Sequence, residues 1–192
     1  MIYKKNISKE CKSLISQWKE TLNLTNYERT KFEDILNQLD FQIEKLAKKE
    51  IQVSVFGRVG VGKSSLLNAL IEKQVFSTDI INGNTKTIKS YKLCKRFKSL
   101  NKVELIDTPG IDEINNVNKE KLDFQNLLDK DLILFVIDSD LTRIDLDAIK
   151  ELLRNNKPIL IVLNRCDQWN KGEAKLILSS IHKKLSFYNQ KI

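Results

Sequence analysis

The chain is short of the residues that staple, stiffen or anchor a protein. Of its 192 residues only 2 are proline, which leaves little room for a proline-rich linker. The 3 cysteines, Cys11, Cys94 and Cys166, are odd in number, widely scattered and without metal-ligand spacing. That usage suits a reducing compartment rather than a disulfide framework. No apolar run approaches the ~18 residues that cross a bilayer. The opening MIYKKNISKECKS has no apolar signal core. Together these absences predict a soluble, cytoplasmic protein. Glycine is also scarce, yet 3 of the 6 glycines fall at Gly57, Gly60 and Gly62.

With 41% hydrophobic residues the chain can bury a core, and its length allows one domain plus an extension. The formal net charge is +8. Between Lys86 and Lys102 lie Lys86, Lys89, Lys92, Lys95, Arg96, Lys98 and Lys102, with no acidic residue. Such a run fits a phosphate-rich partner, either RNA of the ribosome or an anionic membrane surface. A solvated basic hairpin fits equally well.

Residues 1–49 read as an N-terminal helical extension, two helices or one bent helix. Ile7, Cys11, Leu14, Trp18 and Leu22 recur at helical spacing, and the pattern breaks at residues 21–26. Thr25 and Glu28 have capping-box spacing, in which hydroxyl and carboxylate each satisfy the other's amide. Phe32, Ile35, Leu39, Ile43 and Leu46 form the next apolar face. Packing, self-association and partner binding all remain open for this arm.

Residues 50–192 read as an α/β domain, a three-layer fold with a mixed, mostly parallel sheet. Strands are predicted at 51–56, 88–94, 102–106, 132–137 and 158–163. Helices are predicted at 64–74, 142–155 and 172–188, the last with Ile177, Ile181, Leu185 and Tyr188 aligned. Leu132–Ile137 and Pro158–Leu163 are apolar throughout, as strands buried on both faces are.

The stretch Gly57-Arg58-Val59-Gly60-Val61-Gly62-Lys63-Ser64 satisfies G-x-x-x-x-G-K-[ST]. A loop bare of Cβ atoms lets main-chain amides close on phosphate oxygens, and the helix that follows offers its positive end. Lys63 reaches the β- and γ-phosphates, Ser64 ligates Mg²⁺, and Ser65 extends the binding segment. Asp107, at the end of a strand in Leu105-Ile106-Asp107-Thr108-Pro109-Gly110, can hold the Mg²⁺ shell. Gly110 can report a γ-phosphate. Asn164-Arg165-Cys166-Asp167 follows another strand. A carboxylate at Asp167 accepts from the N1–H and 2-amino groups of guanine, a donor pair adenine lacks. Asn164 is placed to tie this loop to the phosphate loop.

The ordered set GRVGVGKSS, DTPG and NRCD resembles the G1, G3 and G4 motifs of the translation-factor-related P-loop GTPases. Within that class it is similar to Era-like and dynamin-like members, over about residues 51–188. The resemblance implies binding of GTP and GDP, dependence on Mg²⁺ and hydrolysis to GDP and phosphate. It also implies a switch threonine touching Mg²⁺ and the γ-phosphate. Thr87 is the first candidate, then Thr85, then Thr78. The implied metal set is Ser64, Thr87 and Asp107; the implied catalytic set is Lys63, Thr87 and Gly110.

The chain departs from the pattern in several places. Arg165 stands where the motif has lysine, keeping the charge on a bulkier, flatter head. Ile111 stands where some relatives place a water-orienting glutamine. That implies slow hydrolysis without a partner, potassium or dimerisation. Potassium-dependent relatives carry asparagine where this chain has Gly60, which weakens the potassium reading. In a nucleotide-dependent homodimer Arg58 would act in trans; otherwise it is solvated or structural. The chain ends 25 residues after Asp167, so the reading is a G domain incomplete at its C-terminus. Leu178-Ser179-Ser180 is the remaining candidate for a displaced G5 motif. Two functions compete: a nucleotide-dependent switch with slow hydrolysis, and a nucleotide-binding scaffold with negligible turnover. An ATPase is disfavoured by Asp167.

Overall fold

A computed structural model describes residues 7–77, 89–93, 100–113 and 126–189. The chain divides into two compact units, one of residues 1–51 with 94–103, the other of residues 52–93 with 104–192.

In the first unit, α1 (Ile7–Thr21) is followed by α2 (Asn26–Lys31) and α3 (Glu33–Lys48). The break before α2 is fixed by the capping box. Glu28 N donates to Thr25 Oγ1, and Thr25 N donates to the Glu28 carboxylate. Phe32 interrupts the second helix, and Lys49, at φ 55, ends α3 in the left-handed region. Lys19 Nζ lies 2.6 Å from Asp40 Oδ2, linking α1 to α3. The half-buried line of α1 is Cys11, Ile15 and Lys19, continued by Leu22 just past its end, and Leu14 and Trp18 are exposed. In α3 Leu36 takes the inner place assigned to Ile35, which is exposed with Phe32. The apolar stripe of each helix is wider than its packed seam, and spacing alone does not select the seam.

The second unit is built on a five-stranded sheet in the order β2-β3-β1-β4-β5. Its strands are β1 (Glu50–Phe56), β2 (Lys89–Leu93), β3 (Lys102–Asp107), β4 (Leu132–Ile137) and β5 (Ile159–Leu163). Helices α4 (Lys63–Ile71), α5 (Arg143–Arg154) and α6 (Lys171–Asn189) follow β1, β4 and β5. β1 pairs with β4 in parallel, Phe56 beside Phe135. β4 pairs with β5 in parallel, Ile137 beside Leu163. Gln52 and Asp131 exchange hydrogen bonds at the start of the β1–β4 pair: Gln52 N donates to Asp131 Oδ2 and Asp131 N to Gln52 O.

The interior strand β4 is buried over Ile133–Ile137. One face carries Ile133, Phe135 and Ile137 into a core with Phe56, Leu127, Leu141, Ile149, Leu152 and Ile181. The rings of Phe56 and Phe135 meet edge to face, their centroids 5.9 Å apart. Leu134 and Val136 point to the opposite face and are buried there. β5 differs from its prediction. It is an edge strand with β4 as its neighbour, and Leu160 is 54% exposed. An unbroken apolar run signals burial on both faces only for a strand flanked on both sides. Leu178-Ser179-Ser180 lies within α6, where Ser180 Oγ donates to Asp140, so it forms no strand-end loop.

Phe135→Ala is expected to lower the free energy of unfolding by about 3–5 kcal/mol, whereas Leu160→Ala costs under about 1 kcal/mol. Urea denaturation of the two variants checks the contrast between interior and edge strand.

Candidate functional site

The carboxyl ends of β1, β4 and β5 lie side by side because the three strands are parallel and in register. Loops leaving those ends meet, as ligand-binding loops do in open α/β sheets.

The first loop runs from Gly57 to Gly62. Gly57 is buried with φ 145, and a Cβ there would lie 2.2 Å from the carbonyl oxygen of Val136. No other residue fits between the loop and β4. Gly62, at φ 90, caps α4 without a side-chain hydrogen bond. The first amides of α4 therefore keep their donors turned toward the loop. Lys63 is buried at 8% exposure, and its Nζ donates to Gly57 O at 3.0 Å and Arg58 O at 2.8 Å. The loop thus wraps its own ammonium. Ser65 sits exposed on the first turn of α4.

The β3 end supplies Asp107, which is 1% exposed. Ser64 Oγ donates to Asp107 Oδ2 at 2.6 Å, while Asp107 Oδ1 has no hydrogen-bond partner among the described residues. Burial pushes the Asp107 carboxyl above its ordinary value, opposed by the Ser64 bond and the Lys63 charge. Thr108 Oγ1 donates to Val55 O at 2.6 Å and fastens this segment to β1. Gly110 packs on the phosphate loop: a methyl there would reach within 2.8 Å of Val59 N. Ile111 N donates to Gly57 O at 3.2 Å, and its side chain packs against the core beneath.

The loop after β5 is tied to the phosphate loop twice. Asn164 Nδ2 donates to Val61 O at 2.8 Å, and Arg165 Nη2 donates to Gly60 O at 2.6 Å. Asn164 N also donates to Ile137 O at 2.7 Å, anchoring the turn to β4. Arg165 takes the left-handed conformation, φ 55, and Asp167 is exposed in the short 3₁₀ turn Cys166–Gln168 that follows.

Two acidic residues that sequence reasoning passed over complete the cluster. Asp138, directly after β4, has Oδ2 3.2 Å from Arg165 Nη1 and Oδ1 3.7 Å from Arg58 Nη2. Asp145, in the first turn of α5, lies 3.6 Å from Arg58 Nε. Arg58 is therefore flanked at ion-pair distance by carboxylates of its own chain, although Arg58 Nε and Asp145 Oδ1 have no hydrogen-bond partner among the described residues. A carboxylate immediately after a fully apolar strand was the signal that could have marked Asp138. Thr78, Thr85 and Thr87 lie outside the described residues, as does most of the Lys86–Lys102 run. Within that run Lys89 and Lys92 are exposed, and Lys102 Nζ lies 3.3 Å from Glu50.

A loop of turned-in amides, a buried lysine, a serine–aspartate pair and an adjoining carboxylate-bearing loop define a P-loop nucleotide-binding domain. The chain belongs to the family described as 50S ribosome-binding GTPase, whose model matches residues 52–165. It is 34% identical to the tRNA modification GTPase MnmE of Mycoplasma mycoides, covering 84% of this chain and 39% of that one. It is 34% identical to GTPase Der of Leptospira interrogans, covering 63% of this chain and 26% of that one. The chain thus spans about two fifths or less of the length of these relatives. Among solved structures it is similar to Era in complex with MgGDPNP and nucleotides 1506–1542 of 16S ribosomal RNA. That match has TM-score 0.56 and 28% identity, covering 70% of this chain and 47% of that one. Toc33 from Arabidopsis thaliana, at TM-score 0.50 and 18% identity over 77% of this chain and 68% of that one, shares the fold. The second unit is accordingly a GTP-binding G domain of the Era, Der and MnmE type.

Asp107 yields a prediction whose sign follows from its environment. A carboxyl raised by burial favours the protonated folded state, so its ionisation costs stability as pH rises above the ordinary value of 3.8. Without nucleotide, Asp107→Asn should melt a few degrees above wild type at pH 7.5. The gap should close below about pH 4. Thermal melts at the two pH values check this.

Proposed function

We propose that the chain binds GTP and GDP through the phosphate loop and hydrolyses GTP slowly, as a nucleotide-dependent switch. The observation that carries this reading is the pair of bonds from Asn164 and Arg165 onto the backbone of Val61 and Gly60. They join the two loops to which this reading assigns the base and the phosphates. In this reading Gly57–Ser65 hold the phosphates through main-chain amides, and Lys63 spans the β- and γ-phosphates. Asp167 accepts from the guanine edge, with Asn164 and Arg165 holding its loop.

The site suits Mg²⁺. A serine hydroxyl beside a buried carboxylate with an unpartnered oxygen is a hard-oxygen donor set. Among the described residues no cluster of three or more His, Cys, Asp or Glu could hold a metal by itself. That matches an ion held mainly by substrate phosphates and water. Ser64, Asp107 and Thr87 would hold it, and when bound it neutralises charge on the phosphates. Lys63 and the loop amides stabilise the charge that develops as the γ-phosphoryl leaves. Gly110, against Val59, is the hinge that a γ-phosphate would draw in, coupling nucleotide state to the chain beyond it.

Ile111 sets the rate. Its side chain packs on the core and offers no group to orient water. The same observation favours the second reading, a nucleotide-binding scaffold with negligible turnover. A nucleotide-dependent dimer or a partner would supply what Ile111 lacks; potassium dependence is the weaker option. For a macromolecular partner, the RNA-bound Era neighbour and the family's description favour ribosomal RNA over an anionic membrane surface. Lys89 and Lys92, with the rest of the Lys86–Lys102 run, would supply the charge. Among the described residues no helix is long and apolar enough to cross a membrane.

Lys63→Ala removes charge-assisted bonds to phosphate worth about 1.5–3 kcal/mol each. GDP affinity should therefore fall by roughly 100-fold or more in equilibrium titration. Phosphate release from GTP, followed against protein concentration in NaCl and in KCl, separates the readings. The switch predicts slow turnover that rises with concentration, and the scaffold predicts none. Fast, concentration-independent turnover contradicts both.

A further inference from the structure

We propose that Asp138 is a positioning residue that couples the base-reading loop to the phosphate loop, through a charge relay running Arg165–Asp138–Arg58–Asp145. The proposal rests on the nucleotide reading above and assigns a role to Asp138 and Asp145, which that reading does not use. Asp138 divides its two oxygens between two loops. Oδ2 receives Arg165 Nη1 at 3.2 Å, while Oδ1 accepts from Ser139 Oγ at 3.3 Å and faces Arg58 Nη2 at the ion-pair distance of 3.7 Å. Arg165 uses its other terminal nitrogen on Gly60 O at 2.6 Å. One guanidinium thus ties the base loop to the phosphate loop directly and, through Asp138, ties it again to Arg58 on the same phosphate loop.

The far end of the relay is anchored. Arg58 Nε lies 3.6 Å from Asp145 Oδ1, and the Asp145 side chain is 1% exposed. The other oxygen of Asp145 accepts from Thr142 N at 2.9 Å and Thr142 Oγ1 at 2.6 Å in the capping box of α5. Asp145 is therefore part of a helix start and cannot follow Arg58 if Arg58 moves. Two positive and two negative groups balance. Removing one leaves charge uncompensated in a partly shielded place, where the cost is larger than at an open surface.

Three consequences follow. Arg58 is engaged within its own chain, so action in trans would first require parting it from two carboxylates. Arginine at position 165 has a reason: its planar fork presents two nitrogens at fixed separation to acceptors on two different elements, which a point-charge ammonium does not do. And a nucleotide that orders either loop finds the other already held, so base and phosphate affinity are linked.

The test is stopped-flow dissociation of a fluorescent GDP analogue from the full chain with Mg²⁺, in wild type and Asp138→Asn. Titrations with GDP and with IDP, which lacks the 2-amino group, accompany it. Asp138→Asn is expected to speed dissociation about tenfold, an effect of the size of one charged hydrogen bond. It should also lower the GDP-over-IDP preference at least about threefold, a ratio that uniform loosening of the fold leaves unchanged. Arg58→Gln breaks the same bridge from its more exposed side and should act alike, and the double variant should be no worse than the stronger single. If Asp138→Asn does not fold, Arg58→Gln alone decides. Dissociation within twofold of wild type, an unchanged GDP-to-IDP ratio, or two single effects that simply multiply would overturn the proposal. Failure of the wild-type chain to bind the analogue at all would instead overturn the nucleotide reading on which it rests.

Discussion

Parallel pairing of β1, β4 and β5 is the constraint from which the site follows. Parallel strands in register end along one edge, so the segments after Phe56, Ile137 and Leu163 emerge as neighbours. Each continues into a loop that ends at a helix. The β1 loop is pressed so close to β4 that position 57 admits no side chain against Val136. The β5 loop is hung on the β1 loop by Asn164 and Arg165. The segment after β3 is fastened beneath by Thr108 and by the amide of Ile111. Shift one strand by a single residue and each of these contacts is lost, because every side chain would change face.

The site holds groups that the fold alone would not choose. Lys63 and Asp107 are both nearly buried, and Asp107 keeps one oxygen without a hydrogen-bond partner among the described residues. Burial of such groups costs stability, and the cost is offset by bonds within the site: Lys63 to two loop carbonyls, Ser64 to Asp107. This is the pattern of a functional site, in which local stability gives way to a prearranged charge distribution. The ion-pair relay through Asp138 differs in kind. Arg58, Asp138 and Arg165 are partly exposed and Asp145 is buried, the charges balance, and the geometry joins elements rather than facing a ligand.

The sequence disclosed much of this because the informative signals are local. A glycine-rich loop between an apolar run and a helix is contiguous, and so are the carboxylates that follow Leu105-Ile106 and Leu163-Asn164-Arg165-Cys166. The interior strand β4 was legible to the residue at both ends, since six apolar residues between polar neighbours have the length of a strand. What was not legible depends on choices made in three dimensions. The edge position of β5 is set by sheet order and not by composition. The packed seams of α1 and α3 were misread because each helix has more apolar residues than its seam uses. The partners of Arg58 come from 80 and 87 residues further along the chain, and no periodicity connects them. Position 111 is apolar by sequence, but only the structure shows the Ile111 side chain packed against the core.

In the proposed function, main-chain amides of residues 57–64 and the ammonium of Lys63 grip the phosphates of a nucleotide whose base must be guanine. Competition against a bound fluorescent GDP, with Mg²⁺ present, tests it most directly. GTP and GDP should displace the probe at similar concentrations, and ATP should leave it bound at concentrations at least about 100-fold higher, since adenine offers no donor pair to Asp167. Displacement by ATP as readily as by GTP would contradict the account.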